Sequence, residues 1–390
     1  MANTLTNLIP TIYDALNVVS RERVGFINAV SKNTSSERAA LNQSIRVPLA
    51  PAVTSEAANT PATTAPDTGD VTVDSVEMLI SKSYHIPVRY NGEEVKGLQN
   101  AGTYNDINQQ RFVQAFRRLG NLIETDLAST YKYASRATGT AGTTPFNTAG
   151  TVSDFANVMR ILDDNGCPPD GLALVLSNAA MQNLRGKQSN FFKVNEAGSA
   201  EMLRDGNLGR AFGFNIYQSG FVASHTIGTL AGSPTLTSTD YAVGATTLTL
   251  ASAGTGTIVE GDFLNVADQN NGIWYGVRTG DDSVADGGTV VLNNPGLQIA
   301  QTSNTSALTI AAAFKGNLAF HPTAIQLITR QPALPEGGDM ATDRTFVTDP
   351  LTGITYEISE YKQYRQTVYH VSLAWGWKAI RQEHIAVLFG

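Results

Sequence analysis

Cysteine is nearly absent. Cys167 is the single thiol in 390 residues, which excludes an intrachain disulfide and any cysteine-rich zinc site. The expected compartment of synthesis is a reducing one, the cytosol. Charge is scarce as well: Asp, Glu, Lys and Arg make up 16% of the chain, against roughly 25% in an average soluble domain. Thr, Ser, Asn, Gln and Gly must therefore cover much of the surface, which suits contact with other protein. The 27 Lys and Arg against 34 Asp and Glu leave a net charge of −7, which opposes a main role in coating nucleic-acid phosphates. Apolar runs are short, and none approaches the roughly 18 residues that cross a bilayer. Met1–Ser20 carries no Lys or Arg and lacks the form of a secretory leader.

Catalytic constellations are missing too. The five histidines, His85, His225, His321, His370 and His384, are scattered without an i,i+4 pair or a cysteine in metal spacing, so each is expected to be structural. No phosphate loop and no G-x-S-x-G elbow occurs, and Gly254, Gly256 and Gly261 miss the dinucleotide spacing. Ser129 with Lys132 and Ser359 with Lys362 match Ser-x-x-Lys, a pattern short enough to arise by chance. The adjacent carboxylates Asp163–Asp164 and Asp281–Asp282 point different ways and make poor catalytic dyads. Cys167, before Pro168 and Pro169 with no nearby cation, reads as inert. No metal or cofactor is expected.

What the chain does contain is a succession of distinct pieces. After Pro10, apolar Ile12, Leu16, Val19, Phe26, Ile27 and Val30 form one stripe and predict an amino-terminal helical arm. Ile45, Val47 and Leu49 predict a short strand, and a second alternating stretch runs through Val71, Val73, Ile86, Val88 and Tyr90. Between them, Ala50–Asp70 holds almost only Ala, Thr, Pro, Ser, Asn and Asp. That is too little bulky apolar surface for a core and reads as a projecting arm, with a disordered linker as the alternative.

Asn105–Arg136 keeps helical spacing through Ile107, Phe112, Phe116, Leu119, Ile123, Leu127 and Tyr131, a rod of roughly 48 Å. Its polar face carries Arg111, Arg117, Arg118, Glu124, Asp126 and Lys132, a mixture that suits a solvated or intersubunit face better than a basic DNA-contacting patch. Next come a helix with Ser153 as N-cap and Phe155, Val158 and Leu162 inward, a strand at Leu172–Leu176 and a helix at Asn178–Arg185.

Composition shifts between Ser224 and Leu318. This stretch has 13 Gly and 15 Thr, with two Lys or Arg against seven Asp or Glu, so it holds −5 of the net −7. Strand-like runs at Thr246–Leu250, Phe263–Val266, Ile273–Val277 and Thr289–Leu292, separated by Gly, Asp and Asn turns, predict an inserted small all-β barrel or sandwich. At the end, Thr367, Tyr369, Val371, Leu373, Trp375 and Trp377 alternate with Val368, His370, Ser372, Ala374, Gly376 and Lys378, and Ile354, Tyr356 and Ile358 lie upstream. These predict antiparallel strands, followed by a docked Ile385–Phe389.

Taken in order, Ser44-Ile45-Arg46-Val47-Pro48, the Phe112–Ala134 helix, Gly261-Asp262 within the β-insert, Phe320–Arg330 and Trp375–Arg381 resemble the major capsid proteins of tailed double-stranded-DNA phages. The pattern looks like the short-tailed Salmonella phage coat type, which has an inserted β-barrel. The resemblance implies an α+β capsid fold: a helical arm over 1–43, an extended two-stranded loop over 44–95, and a spine helix with part of a peripheral domain over 96–145. An axial domain would occupy 146–223 and return over 319–344, the barrel 224–318, and closing peripheral strands 345–390. It also implies self-assembly into hexamers and pentamers of an icosahedral shell, a scaffolding protein, a portal protein, weak contact with packaged double-stranded DNA, no membrane, and assembly in the bacterial host cytoplasm into a virion. Arg46, Pro48, Lys82, Arg89, Arg117 and Arg118 are the expected intersubunit contacts. One departure is the short, nearly uncharged Leu230–Val243, where such coats can carry a longer charged loop.

Two other classes of function remain open from sequence. One is a β-rich tail or surface adhesion module, with the Gly/Thr-rich insert as its working part. The other is an enzyme whose site has no recognised motif.

Overall fold

The computed structural model describes residues 22–49, 61, 74–100, 104–188, 209–232, 234–237, 240–251, 254–267, 269, 272–302 and 306–390. The first element is a single helical turn, α1, Phe26–Ala29, followed by strands β1, Ser31–Ala39, and β2, Ser44–Leu49. Of the expected amino-terminal helix, Ile12, Leu16 and Val19 lie outside the described residues, and the part after Val30 is strand. The reason is local: Ser31, Asn33, Thr34 and Ser35 are weak helix formers, and β1 gains a parallel ladder with Ile325–Pro332.

Strand β3, Asp74–Leu79, pairs with β2 from Ser44 opposite Leu79 to Leu49 opposite Asp74. The two form a sheet of their own. The rest of the expected two-stranded arm belongs elsewhere: β4, Lys82–Asn91, enters the body, and α2, Gly92–Asn100, follows it. The pull on β4 is its buried Val88 and Tyr90, which join the main core. Ala50–Asp70 lies outside the described residues apart from Pro61.

The long helix α3 spans Tyr104–Ala128, 25 residues, or roughly 38 Å. It stops short of the expected Arg136 because the Ser129 hydroxyl donates to the Asp126 carbonyl and the Thr130 hydroxyl to the Leu127 carbonyl, both at 2.6 Å. These bonds take up carbonyls of the last turn, and the chain tightens into a 3-10 turn over Ser129–Tyr133.

Then come β5, Arg136–Thr138, and α4, Ser153–Asp164. Phe155, Val158 and Leu162 point inward as expected, but Ser153 enters α4 as its first residue rather than capping it. Buried β6, Ala173–Ser177, leads into α5, Asn178–Lys187, whose N-cap Ser177 accepts from the Ala180 N–H. Strands β7, Arg210–Ala211, and β8, Phe214–Ser219, complete this region.

The Gly/Thr-rich stretch contains β9, Ser224–His225; β10, Thr247–Thr249; β11, Phe263–Val266; β12, Trp274–Thr279; β13, Thr289–Leu292; and β14, Leu308–Ile310. Leu248, Val266, Val277, Val290 and Leu308 belong to a core cluster of its own. It is not a detached bead, however, because β12 pairs with β5 and carries the ladder into the body. The chain closes with β15, Phe314–Phe320; β16, Ile325–Pro332; β17, Asp343–Thr348; β18, Thr355–Gln363; β19, Gln366–Ala379; and β20, Ile385–Phe389.

Two large sheets result, so the fold is mixed α and β and rich in β. One runs β1-β16-β19-β18-β17, with β4 also on β19; the other runs β10-β13-β12-β5-β20-β15-β6-β8-β7, with β9, β11 and β14 attached. This pairing crosses the boundary expected between 344 and 345. Strand β16 joins the closing strands, whereas β20 sits between β5 and β15. Its unbroken apolar run, Ile-Ala-Val-Leu-Phe, is buried throughout, as a central strand covered on both faces requires.

Helix α3 lies on the first sheet. Phe112 meets Tyr369 edge-on at 5.7 Å and Phe116 meets Tyr356 at 5.2 Å, with Trp375 fully buried beside them. Burying each such ring contributes about 1.5–3 kcal/mol. The opposite face of β19 receives the β2–β3 hairpin, where a Cβ on Gly376 would stand 1.9 Å from the Leu79 carbonyl oxygen. Glycine is what lets the hairpin come this close.

Candidate assembly surface

The six residues expected to contact neighbouring subunits fall into three environments. On the hairpin, Arg46 pairs with Glu77 across the ladder at 3.2 Å, with side chains 73% and 54% exposed. Such a pair adds little stability. Pro48 stands opposite Ser75, in a two-stranded ladder where its missing N–H is tolerated.

Lys82 and Arg117 are engaged within the chain. The Lys82 ammonium lies 2.6 Å from Asp126 and over the Trp377 ring, and the Trp375 indole N–H donates to the other Asp126 oxygen at 2.9 Å. Arg117 and the Asn121 amide both donate to Glu22. By contrast, Arg89 and Arg118 are exposed, and no ion pair joins either to another described residue.

Three buried polar junctions went unforeseen. Glu124 is fully buried and accepts from the backbone N–H groups of Phe26 at 2.8 Å, Ile27 at 3.0 Å and Gly25, and from the Ser219 hydroxyl at 2.9 Å. Burial pushes its carboxyl above the usual range, against the pull of these four donors. Asp126 joins α3, β4 and β19 as just described. The third is a relay in which Tyr131 Oη stands 2.8 Å from His225 Nδ1, and His225 Nε2 stands 2.8 Å from Asp262. With Nε2–H directed at the carboxylate, the phenol is the donor to Nδ1.

Asp262 also accepts from the N–H groups of Gly228 and Val259, so the relay ties the end of the long helix to the β-rich stretch. Burial, with the charges of Asp262 and Glu260, pushes the Tyr131 phenol up to about 12. The apolar spacing of α3 carried one usable signal for Glu124 and Asp126, since both flank the stripe through Ile123 and Leu127. The relay spans 131 positions of sequence and left no local trace.

Several other candidate groups are held in packing or local hydrogen-bonding roles. His85 and His370 stack at 4.4 Å, and burial, then the neighbouring His85, lowers the His370 pKa. Burial pushes the Cys167 thiol up to about 11. Ser129 donates to a backbone carbonyl while Lys132 faces Glu260 at 3.8 Å, and the Ser359 hydroxyl donates to Glu357. Among the described residues, no group of three or more His, Cys, Asp or Glu is arranged to hold a metal ion.

No family model matches the chain, and no curated protein does. Solved structures similar to it include the capsid of cyanophage P-SCSP1u, 12% identical with a TM-score of 0.48 over 95% of this chain and 88% of that one. A Mycobacterium phage Che8 structure is 13% identical, with a TM-score of 0.44 over 94% and 91%. A virus-like particle from Pyrococcus furiosus is 11% identical, with a TM-score of 0.40 over 97% and 96%. Likenesses this distant assign neither a family nor a role.

Proposed function

We propose that the chain is the major capsid protein of a tailed double-stranded-DNA phage, a shell subunit rather than an enzyme. The observation that carries this reading is the hairpin. Strands β2 and β3 ladder only with each other among the described residues and pass tightly over Gly376. They flank a segment, Ala50–Asp70, too poor in bulky apolar residues to pack a core of its own. An arm of that kind suits contact with a neighbouring copy.

Low charge adds support, because large faces buried between subunits cost less to desolvate when few ions lie on them. In this reading α3 is the spine, and the six-stranded sheet, including β16, is the peripheral domain. The axial domain is built around β6, β8, β15 and β20. The stretch with its own core is an inserted barrel of the short-tailed Salmonella phage coat type. The subunits form hexamers and pentamers of an icosahedral shell with scaffolding and portal proteins, in the host cytoplasm, around the genome.

The test is removal of Ala50–Asp70. Assembly should be lost while the monomer's thermal transition stays within about 2 °C of the parent, as expected of a segment outside any core. Normal particles from the trimmed chain would contradict the reading.

A further inference from the structure

His85 of β4 and His370 of β19, far apart in sequence, lie face to face. Their ring centroids are 4.4 Å apart and their planes differ by 20°. The β4–β19 ladder sets this contact, with His85 opposite Ser372 and Pro87 opposite His370. The rings are thus diagonal neighbours on one face of the sheet, the face away from α3. His85 is exposed and His370 half-buried, so protons reach the pair directly from solvent.

The surroundings offer an imidazolium no free counter-charge. The rings line a pocket of about 210 Å³ with Tyr361, Asp339, Glu357 and Ser359. Asp339, in the loop before β17, pairs with Arg344 and accepts from the Tyr361 hydroxyl at 2.6 Å. Glu357 of β18 is buried between Arg38 of β1 at 2.9 Å and Arg344 of β17 at 3.3 Å. Glu360 and Lys362 alternate onto the other face of β18, whereas exposed Arg89, on the same face of β4 as His85, adds a further cation. The Tyr361 ring covers His370 at 4.9 Å. Among the described residues, none hydrogen-bonds a ring nitrogen of either histidine. Neutral imidazoles stack as other aromatic rings do. Two imidazoliums at this separation repel.

We propose that His85 and His370 form a proton-operated latch, which clasps β4 to β19 when both rings are neutral and loosens that ladder when both are charged. The latch is a property of the single subunit and stands apart from the capsid reading. Burial, then the neighbouring His85, lowers the His370 pKa from its ordinary 6.5. The clasp is therefore complete above 6.5 and is lost as pH falls through the lower value that His370 has in the closed pair. One unit below 6.5, a ring that protonates normally only in the open form makes opening up to about tenfold easier. Only Ile80 and Ser81 separate β4 from β3, so an open latch also loosens the strand from which the hairpin springs.

The test is hydrogen exchange, read by mass spectrometry, on the unassembled full-length subunit at pH 5.5 and 7.5 and corrected for the intrinsic pH dependence of exchange. Protection of Lys82–Asn91 should fall by roughly 3- to 10-fold at the lower pH, while Ile385–Phe389, in the other sheet, keeps its protection. The fall should vanish in H85Q/H370Q, whose side chains cannot take a proton. H370Q alone leaves His85 without a like-charged partner, so the fall should vanish there too, which serves if the double variant does not fold. Equal protection of β4 at both pH values in the parent would overturn the proposal without any variant. So would an equal fall in β20, which marks a global transition, or an undiminished fall in either folded variant, which places the titrating group elsewhere.

Discussion

The Glu124 carboxylate accepts a 2.8 Å hydrogen bond from the backbone N–H of Phe26, 98 positions earlier in the chain. It thereby serves as the cap that α1 lacks in its own sequence, since Gly25 has no side chain to offer. One carboxylate anchors the segment entering the body to the long helix and, through Ser219, to β8.

Replacing Glu124 with Ala should cost about 3 kcal/mol or more, because several buried N–H donors lose their acceptor together. The pH profile gives a finer reading. Burial raises the Glu124 carboxyl above its ordinary value of 4.5, so the folded chain holds this proton to higher pH than the unfolded chain does. Its contribution to stability is therefore full below about 4.5 and declines as pH rises through the folded value. Glu124→Gln cannot ionise and should lack that decline. Urea unfolding of both proteins from pH 4 to 7 measures the difference, and parallel curves would refute the assignment.

The expected contact residues should separate by their effect on the isolated subunit. Lys82→Ala leaves the buried Asp126 carboxylate with the Trp375 indole but no cation, which should destabilise the chain by about 2 kcal/mol. Arg89→Ala and Arg118→Ala should change stability by less than about 0.5 kcal/mol. Denaturant midpoints for the three variants decide it, and an inert Lys82→Ala would show that the junction carries little weight.

Gly376→Ala should loosen the hairpin without unfolding the sheet beneath it. The added Cβ would stand 1.9 Å from the Leu79 carbonyl, and the cheapest relief is for β3 to lift away. Limited proteolysis should then cut more readily near Leu79–Ser81, and particle yield should fall. Unchanged cleavage would mean that the hairpin does not depend on this close pass.

The legible part of the fold was the part with unbroken periodicity. The spacing from Phe112 to Leu127 marked α3, the alternation from Thr367 to Trp377 marked β19, and the apolar block Leu172–Leu176 marked β6, each because its own pattern faces a core. Strand β1 was hidden because its partner lies nearly 300 positions away and its residues are polar. Strand β4 was misassigned to the arm since alternation shows that a strand exists but not which strand it pairs with. At the candidate surface, the arginines could be named from sequence. That Glu124 and Asp126 are buried could not, because they are drawn inward by backbone and side-chain partners remote in sequence.

The most direct measurement is electron microscopy of the full chain expressed alone and together with a tailed-phage scaffolding protein. The account predicts closed shells of uniform diameter, with the hairpin of one subunit lying against the next. Small soluble oligomers as the sole product, with scaffolding protein present and the chain folded, would contradict it.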